Sequence, residues 1–320
     1  MSKTETLRTV GKSDLQVSPL CLGGNVFGWT ADDAASQAVL DAYVESGGNF
    51  IDTADVYSTW VPGHVGGESE DTIGRWMKAR GNRDSIVLIT KVGNEMSQQN
   101  KGLSKRHIMK GAEDSLRRLQ TDYIDLYFAH KDDPDADQEE TLEAFTRLIE
   151  QGQVRYIGAS NYTAERLASA LQISKSQGYA SFVCMQPPYN LANRGTYEGT
   201  LEDLCKAEGL GVITYSSLAS GFLSGKYRKG QELPNSPRAT GVERNYMNDK
   251  GFVALRAVEQ VAKDNGATDS QVALAWLMQH PGITAPIASA TSAEQVRELM
   301  GAIDLHLSAD EIGMLDDAGK

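Results

Sequence analysis

Apolar and polar positions alternate along this chain in two regimes. Short, almost continuously apolar runs mark strands buried on both faces. They take turns with longer stretches in which apolar residues recur every three or four positions, as on a helix with one buried side. The apolar runs are Leu20–Gly24, Asn49–Thr53, Ser85–Lys91, Ile124–His130, Val154–Ser160, Phe182–Gln186, Gly211–Tyr215 and Ile283–Ala288. The periodic stretches predict helices over Ala34–Ser46, Glu70–Ala79, Ser104–Leu119, Glu139–Glu150, Ala164–Gln177, Gly199–Glu208 and Ser292–Met300. Two further helices, Phe252–Asn265 and one carrying Val272, Leu274, Ala275, Leu277 and Met278, precede the last strand. Ser308-x-x-Glu311 reads as a capping box opening a final short helix, and Ser292-x-x-Gln295 as another. At the amino end, Leu7–Val10 and Leu15–Ser18 read as two short strands joined by a turn, and Ser220 to Lys250 shows no strong period.

Strand–helix pairs in series, with no second compositional regime, predict one domain over residues 1–320. Strict alternation fits either a doubly wound sheet or a closed barrel. Two features favour the barrel. The strands number eight, and the polar residues suited to chemistry sit at strand C-termini, the catalytic face of that fold. No G-x-G-x-x-G follows the first strand, so the usual dinucleotide fingerprint of the doubly wound fold is missing. The predicted fold is an α/β, (β/α)8 TIM barrel with an N-terminal β-hairpin and extra helices near the C-terminus.

Composition narrows the partners. A net charge of −12 argues against a nucleic-acid surface, which needs a basic face. The cysteines, Cys21, Cys184 and Cys205, are odd in number and widely spaced, so a reducing compartment is expected rather than a disulfide framework. The start, MSKTETLRTVGKSDL, has no apolar leader core, and no apolar run reaches the length of a membrane span. These features predict a cytoplasmic protein with no membrane partner. Five histidines with no HExxH or CxxC spacing predict no metal site, and the absence of heptads leaves the oligomeric state open.

Nine polar residues stand at or just beyond the strand ends: Asp52 and Tyr57, Lys91, His130, Ser160 with Asn161, Gln186, and Tyr215 with Ser216. Each alone has an ordinary structural explanation, as a strand-end lysine, a cap or a loop aromatic. In a barrel, however, they converge on one mouth. There a tyrosine, protonated at neutral pH with a free pKa of about 10, can donate a proton. A lysine ammonium beside it would stabilise the phenolate and lower that pKa, and Asp52 would supply the lysine's counter-charge. A neutral His130 could orient a substrate oxygen. Such parts suit protonation of an oxygen while hydride reaches the neighbouring carbon.

In order and strand position, Asp52, Tyr57, Lys91 and His130 match the catalytic tetrad of the aldo-keto reductases. The motifs FIDTADVY, GGESEDTIG, ITKVG, IDLYFAH, VRYIGASNY and TYSSLASGFLSGKY agree, and the similarity runs from about Leu15 to about Asp317. The chain most resembles the longer bacterial members and the potassium-channel β-subunit branch. That resemblance implies a nicotinamide cofactor lying extended across the mouth. Ser160, Asn161 and Gln186 would hold its carboxamide, Tyr215 would stack on its ring, and Gly24, Asn25, Val26 and Asp52 would meet its reactive end. Ser216, Leu218, Ala219, Gly221, Leu223, Gly225 and Lys226 would line the pyrophosphate, and Ser289, Thr291, Gln295 and Glu298 the adenosine end. The implied activity is NAD(P)(H)-dependent interconversion of a small-molecule carbonyl and its alcohol. The alternative is a cofactor-binding regulatory subunit with negligible turnover. A hydrolase pairing Asp52 with Asp132 or Asp133 is a further class.

The chain departs from the family's pattern in three places. Thr291 stands where NADP-using members carry a basic residue for the 2′-phosphate, and Leu299 where they carry an asparagine. NADP(H) is expected, but NAD(H) stays open unless Arg238 or Arg297 compensates. The segment from Ser58 to Gly67 is also longer than the family's short glycine turn. Trp60 and His64 are therefore candidate substrate contacts, with a plain surface insertion as the alternative.

Overall fold

In the computed structural model, which describes residues 7–97 and 100–320, eight parallel strands close into a barrel. Ahead of it β1 (Arg8–Thr9) and β2 (Gln16–Val17) pair antiparallel, as the predicted hairpin. The barrel strands are β3 (Cys21–Gly23), β4 (Phe50–Asp52), β5 (Val87–Val92), β6 (Ile124–Ala129), β7 (Val154–Ser160), β8 (Phe182–Gln186), β9 (Gly211–Thr214) and β10 (Ile283–Ala288). Each pairs with the next in chain order, and β10 closes the ring by pairing with both β9 and β3. The helices are α1 (Asp33–Glu45), α2 (Glu68–Arg80), α3 (Lys105–Leu119), α4 (Gln138–Glu150), α5 (Ala164–Gln177), α6 (Thr200–Glu208), α7 (Ala239–Tyr246), α8 (Asp249–Asn265), α9 (Asp269–Gln279), α10 (Ala293–Met300) and α11 (Ala309–Gly319).

Local chemistry sets the helix ends. Asp32, Ser104, Thr163 and Asn248 each accept a first-turn N–H as N-caps of α1, α3, α5 and α8. Both halves of the predicted Ser308–Glu311 box form, and Thr268–Gln271 makes a second box at α9. The barrel interior packs Cys21, Phe50, Ile89, Leu126, Phe128, Cys184, Ile213 and Ile287 against Val10, Leu15 and Val17 of the hairpin. The hairpin thus plugs the amino end of the barrel. Arg8 fastens it there by donating to the carbonyls of Met278, Ile283 and Thr284. Gly11, at φ +52°, lies so close to Val183 O and the Gly211 N–H that no side chain would fit.

The stretch from Ser220 to Lys250, read as having no period, contains structure. A 3-10 segment spans Ala219–Ser224, and α7 follows. The signal was too short to recognise: Ser220 and Gly221 break the segment with left-handed φ of 57° and 95°, and α7 buries only Ala239 and Val242. No helix among the described residues is long and apolar enough to cross a membrane.

Candidate active site

The carboxyl ends of the strands carry the predicted side chains. Asp52 ends β4, Lys91 lies one residue short of the end of β5, and His130 follows β6. Ser160 and Gln186 end β7 and β8, while Tyr215 follows β9 and Ser289 follows β10. Parallel pairing in register, with Asp52 beside Ile89 and Lys91 beside Phe128, brings the first three groups onto one side of the mouth.

Lys91 is fully buried, and its ammonium uses its donors inside the protein. Nζ lies 2.7 Å from Asp52 Oδ2, 2.7 Å from the Thr53 carbonyl and 3.0 Å from the Tyr57 hydroxyl. Tyr57 in turn donates to Asp52 Oδ2 at 3.2 Å. The other carboxylate oxygen accepts Gln186 Nε2 at 2.9 Å, tying β8 to β4 across the barrel. His130 stands edge-on to Tyr57 with ring centroids 6.0 Å apart. Burial, reinforced by the charges of Lys91 and Lys131, holds the imidazole well below its ordinary pKa, so it is neutral at pH 7. That agrees with the expectation of a neutral histidine.

The expected direction for Tyr57 is overturned. Its pKa is pushed well above the ordinary phenol value, first by burial and then by the charge and hydrogen bond of Asp52. Lys91 does not prevail because its charge is paired with Asp52, and the phenol O–H points at that same carboxylate. In the resting protein Tyr57 is a firmly protonated phenol.

A second set surrounds β7 to β9. Asn161, at a left-handed φ of 56°, donates from Nδ2 to the His130 carbonyl (2.9 Å) and to Ser160 Oγ (3.0 Å). Its Oδ1 accepts the Tyr215 hydroxyl at 2.7 Å, and Ser160 Oγ donates to the Gln186 carbonyl. The structure therefore brings Ser160, Asn161, Gln186 and Tyr215 into one linked array. Past β9, Ser216, Ala219, Ser220, Gly221 and Gly225 all take positive φ, which turns the backbone sharply around this corner. Gly23 and Gly24 on the far side leave no room for a Cβ against Ser289 Oγ and Ser69 Oγ, respectively.

Two cations meet beside this corner. Lys226 and Arg238 both have pKa values lowered by burial, and Arg238 also depresses Lys226. Among the described residues neither forms an ion pair; Lys226 is exposed, while Arg238 Nη2 is buried with no acceptor. The guanidinium sits over the Trp29 ring, 5.6 Å from its centroid. Arg238 could not be placed from sequence, since it lies in the stretch that lacked a period. Arg297, its rival, points away, with Nη2 3.9 Å from Glu45. Gln295 differs from its predicted use. Ser292 caps the Gln295 N–H, but Gln295 Oε1 accepts from the Thr291 N–H (2.8 Å) and hydroxyl (3.1 Å), so the reciprocal half of the box is absent. Glu298 accepts from Thr268 Oγ1, and Asn25 Oδ1 accepts from Ser289 Oγ.

Trp60 packs toward the centre, 6.1 Å from the Tyr57 ring and 5.5 Å from Trp29, while His64 lies 3.9 Å from Glu68. The acids proposed as partners for a hydrolase are committed elsewhere. Arg166 donates to both oxygens of Asp132, and Asp133 accepts the Leu103 and Asp135 N–H groups.

One buried cluster escaped the sequence reading. Glu70, where the second predicted helix begins, is fully buried. It accepts from Thr90 Oγ1 at 2.5 Å and Arg118 Nε at 2.6 Å, bracing β5 next to Lys91 from outside the barrel. Asp55 lies in the same cluster, and burial beside Glu70 pushes its pKa well up. An unusually acidic DTAD…GESED stretch was the available signal.

Comparison with known proteins agrees with this geometry. The model of the aldo/keto reductase family matches residues 19–320. The chain is 34% identical over 315 residues to the uncharacterized oxidoreductase YrpG of Bacillus subtilis (strain 168), covering 96% of this chain and 94% of that one. It is 33% identical over 305 residues to a probable voltage-gated potassium channel subunit beta of Oryza sativa subsp. japonica, covering 93% and 91%.

Proposed function

The chain belongs to the aldo/keto reductase family, and from that premise we propose that it is an NAD(P)(H)-dependent oxidoreductase interconverting aldehydes or ketones with their alcohols. The observation that carries this reading is the Lys91–Asp52–Tyr57 hydrogen-bonded cluster with neutral His130 edge-on to the phenol.

The family generally uses nicotinamide cofactors, and the residues present suit one. A half-buried guanidinium whose buried Nη2 has no acceptor, beside a second, exposed cation, is what a diphosphate would complete. Lys226, Arg238 and the backbone of 216–225 would hold that end, and Ser160, Asn161 and Gln186 the carboxamide. NADP(H) is the favoured form, with Arg238 as the available cation where Thr291 offers none; NAD(H) is the other option. When bound, the nicotinamide supplies hydride to the substrate carbon or removes it.

The remaining work falls to this chain. His130 donates a hydrogen bond that orients the substrate oxygen, and Tyr57 turns its O–H from Asp52 toward that oxygen. An oxygen becoming an alkoxide is more basic than a phenolate, so a phenol with a raised pKa still yields its proton. Lys91 Nζ, 3.0 Å from the hydroxyl, then steadies the phenolate. Asp52, itself held by Gln186, and the Thr53 carbonyl keep the lysine in place, and alcohol oxidation runs the same transfers backwards. The buried thiols of Cys21, Cys184 and Cys205 suit a reducing compartment such as the cytoplasm.

A second reading, a regulatory subunit with negligible turnover, draws on the printed name of the rice relative. Oxidation of NADPH and NADH with an aromatic aldehyde, for wild type and Tyr57→Phe, separates the two. Turnover by wild type that falls about 100-fold or more in the variant supports the reductase. Cofactor binding without turnover in either supports the subunit.

A further inference from the structure

Outside the barrel, the first turn of α2 carries two fully buried polar side chains in succession, Ser69 and Glu70. Ser69 reaches the ends of β3 and β4. Its Oγ donates to the Gly24 carbonyl at 2.8 Å and meets Thr53 Oγ1 at 2.8 Å, and these two residues directly follow the two strands. Glu70 reaches β5, where it accepts Thr90 Oγ1 at 2.5 Å, and α3, where it accepts Arg118 Nε at 2.6 Å. One helical turn thus ties three neighbouring strands to each other.

Both tethers end next to the ammonium of Lys91. The Thr53 carbonyl is one of its acceptors, at 2.7 Å. Thr90 precedes the lysine on β5, and successive side chains point to opposite faces of a strand. Glu70 therefore grips from outside the strand whose inner face presents Lys91 to Asp52 and Tyr57. The Asp55 N–H adds a bond to the Lys91 carbonyl.

The anchor itself is fixed. A Cβ on Gly67 would strike the Arg118 side chain, and one on Gly74 the backbone of Arg118 and Leu119, so α2 and α3 lie in close contact. Asp55 lies in the same cluster, but burial beside Glu70 pushes its carboxyl well above the usual range, so the charge that answers Arg118 is that of Glu70. Apolar residues of like volume commonly stabilise a fold as well as a buried ion pair does. What they lack is direction: a carboxylate bonded to a strand hydroxyl sets where that strand lies.

We propose that Glu70 and Ser69 are positioning residues for the proton transfer, holding Lys91 Nζ at the Tyr57 hydroxyl through Thr90 and Thr53. This rests on the reductase reading above and adds to it the elements that set the lysine–phenol distance. Neither residue touches the reacting atoms. Their effect reaches the phenol only through the lysine.

The test follows benzaldehyde reduction and benzyl alcohol oxidation in wild type, Thr90→Val, Thr90→Ser and Ser69→Ala, each checked for folding by urea titration. Thr90→Val keeps the shape of the side chain and the Glu70–Arg118 pair but removes the tether to β5. Its kcat should fall about 10-fold or more at nearly constant KM. The pH of half-maximal alcohol oxidation should rise by about half a unit or more, because a displaced lysine supports the phenolate less. Ser69→Ala should move both in the same direction, and Thr90→Ser should return both to wild type. A merely structural brace would lower only the yield of folded enzyme, so a pH profile left in place in Thr90→Val overturns the proposal. Carbon NMR of the tyrosine Cζ atoms, with the Tyr57 signal identified from Tyr57→Phe, reads the same contact without turnover. A Tyr57 signal displaced in Thr90→Val and restored in Thr90→Ser upholds the positioning even if wild type reduces no carbonyl and the reductase reading fails. A signal common to all three proteins refutes it.

Discussion

On the β4–β5 side of the mouth Lys91 directs its donors to Asp52, Thr53 and Tyr57, whereas after β9 Arg238 leaves Nη2 buried with no acceptor and Lys226 meets no described carboxylate. Lys91 is fully buried and Arg238 half-buried with Nη2 out of solvent, and burial of a cation costs free energy unless something answers the charge. On the first side the answer is internal and already in place, so the geometry is held before any ligand arrives. On the second the protein leaves the answer to an anion from outside. The difference separates a preorganised reaction centre from a binding site that its ligand completes.

Breaking the internal pair should produce the largest effect. Lys91→Met removes the cation from a carboxylate that is 1% exposed, leaving Asp52 with Gln186 and Tyr57 as partners. Urea unfolding should show a loss of about 3–5 kcal/mol, the usual consequence of orphaning a buried charge. A loss below about 1 kcal/mol would mean that the pair is not what holds this side together. Next comes Tyr57→Phe, which keeps the ion pair and removes the proton donor. Its kcat should drop about 100-fold or more with stability within about 1 kcal/mol of wild type. A large stability loss here would blur the line between chemistry and scaffold.

Much of this first side was legible in the sequence. Buried parallel strands write themselves as apolar runs, so Val154–Ser160 and Phe182–Gln186 were found to the residue, and their ends pointed to Ser160 and Gln186. What a linear pattern cannot carry is the balance of fields at one atom. The expectation that Lys91 would lower the Tyr57 pKa failed because it weighed a neighbour's charge without its pairing to Asp52. The burial of Glu70 went unseen for a related reason: it does sit in the first turn of α2, where an acid suits the helix dipole, and nothing local announces that Arg118 and Thr90 will meet it there. The second side was harder still. Arg238 owes its place to a broken 3-10 segment and a helix of eight residues, too short to register as a period.

The second side should respond to truncation with the opposite sign. Arg238→Met removes a half-buried cation whose buried Nη2 has no described acceptor, so the ligand-free protein should be as stable as wild type or more so. Affinity for NADPH, measured by fluorescence titration, should weaken about 10-fold or more, and its dependence on salt should lessen. If ligand-free stability falls as steeply as in Lys91→Met, the two regions are alike and the contrast between them is wrong.

The smallest effect is one of pH, and it too divides the two sides. His130 has a folded pKa well below its ordinary value of about 6.5, so between those two values the unfolded chain binds a proton that the folded chain refuses. Stability therefore rises with pH across that window, and the contribution is fully present above about 6.5 and lost as the medium becomes more acidic. One such group gives a slope approaching about 1.4 kcal/mol per pH unit. His130→Asn should flatten the acid limb by that amount in urea titrations between about pH 6.5 and 5. The limb will not vanish, because burial and Arg106 lower His107 as well. No histidine lies between Tyr215 and Lys250, so Arg238→Met should keep the wild-type slope unchanged. An equal flattening in both variants would show that acid acts on the mouth as a whole rather than through the imidazole packed against Tyr57.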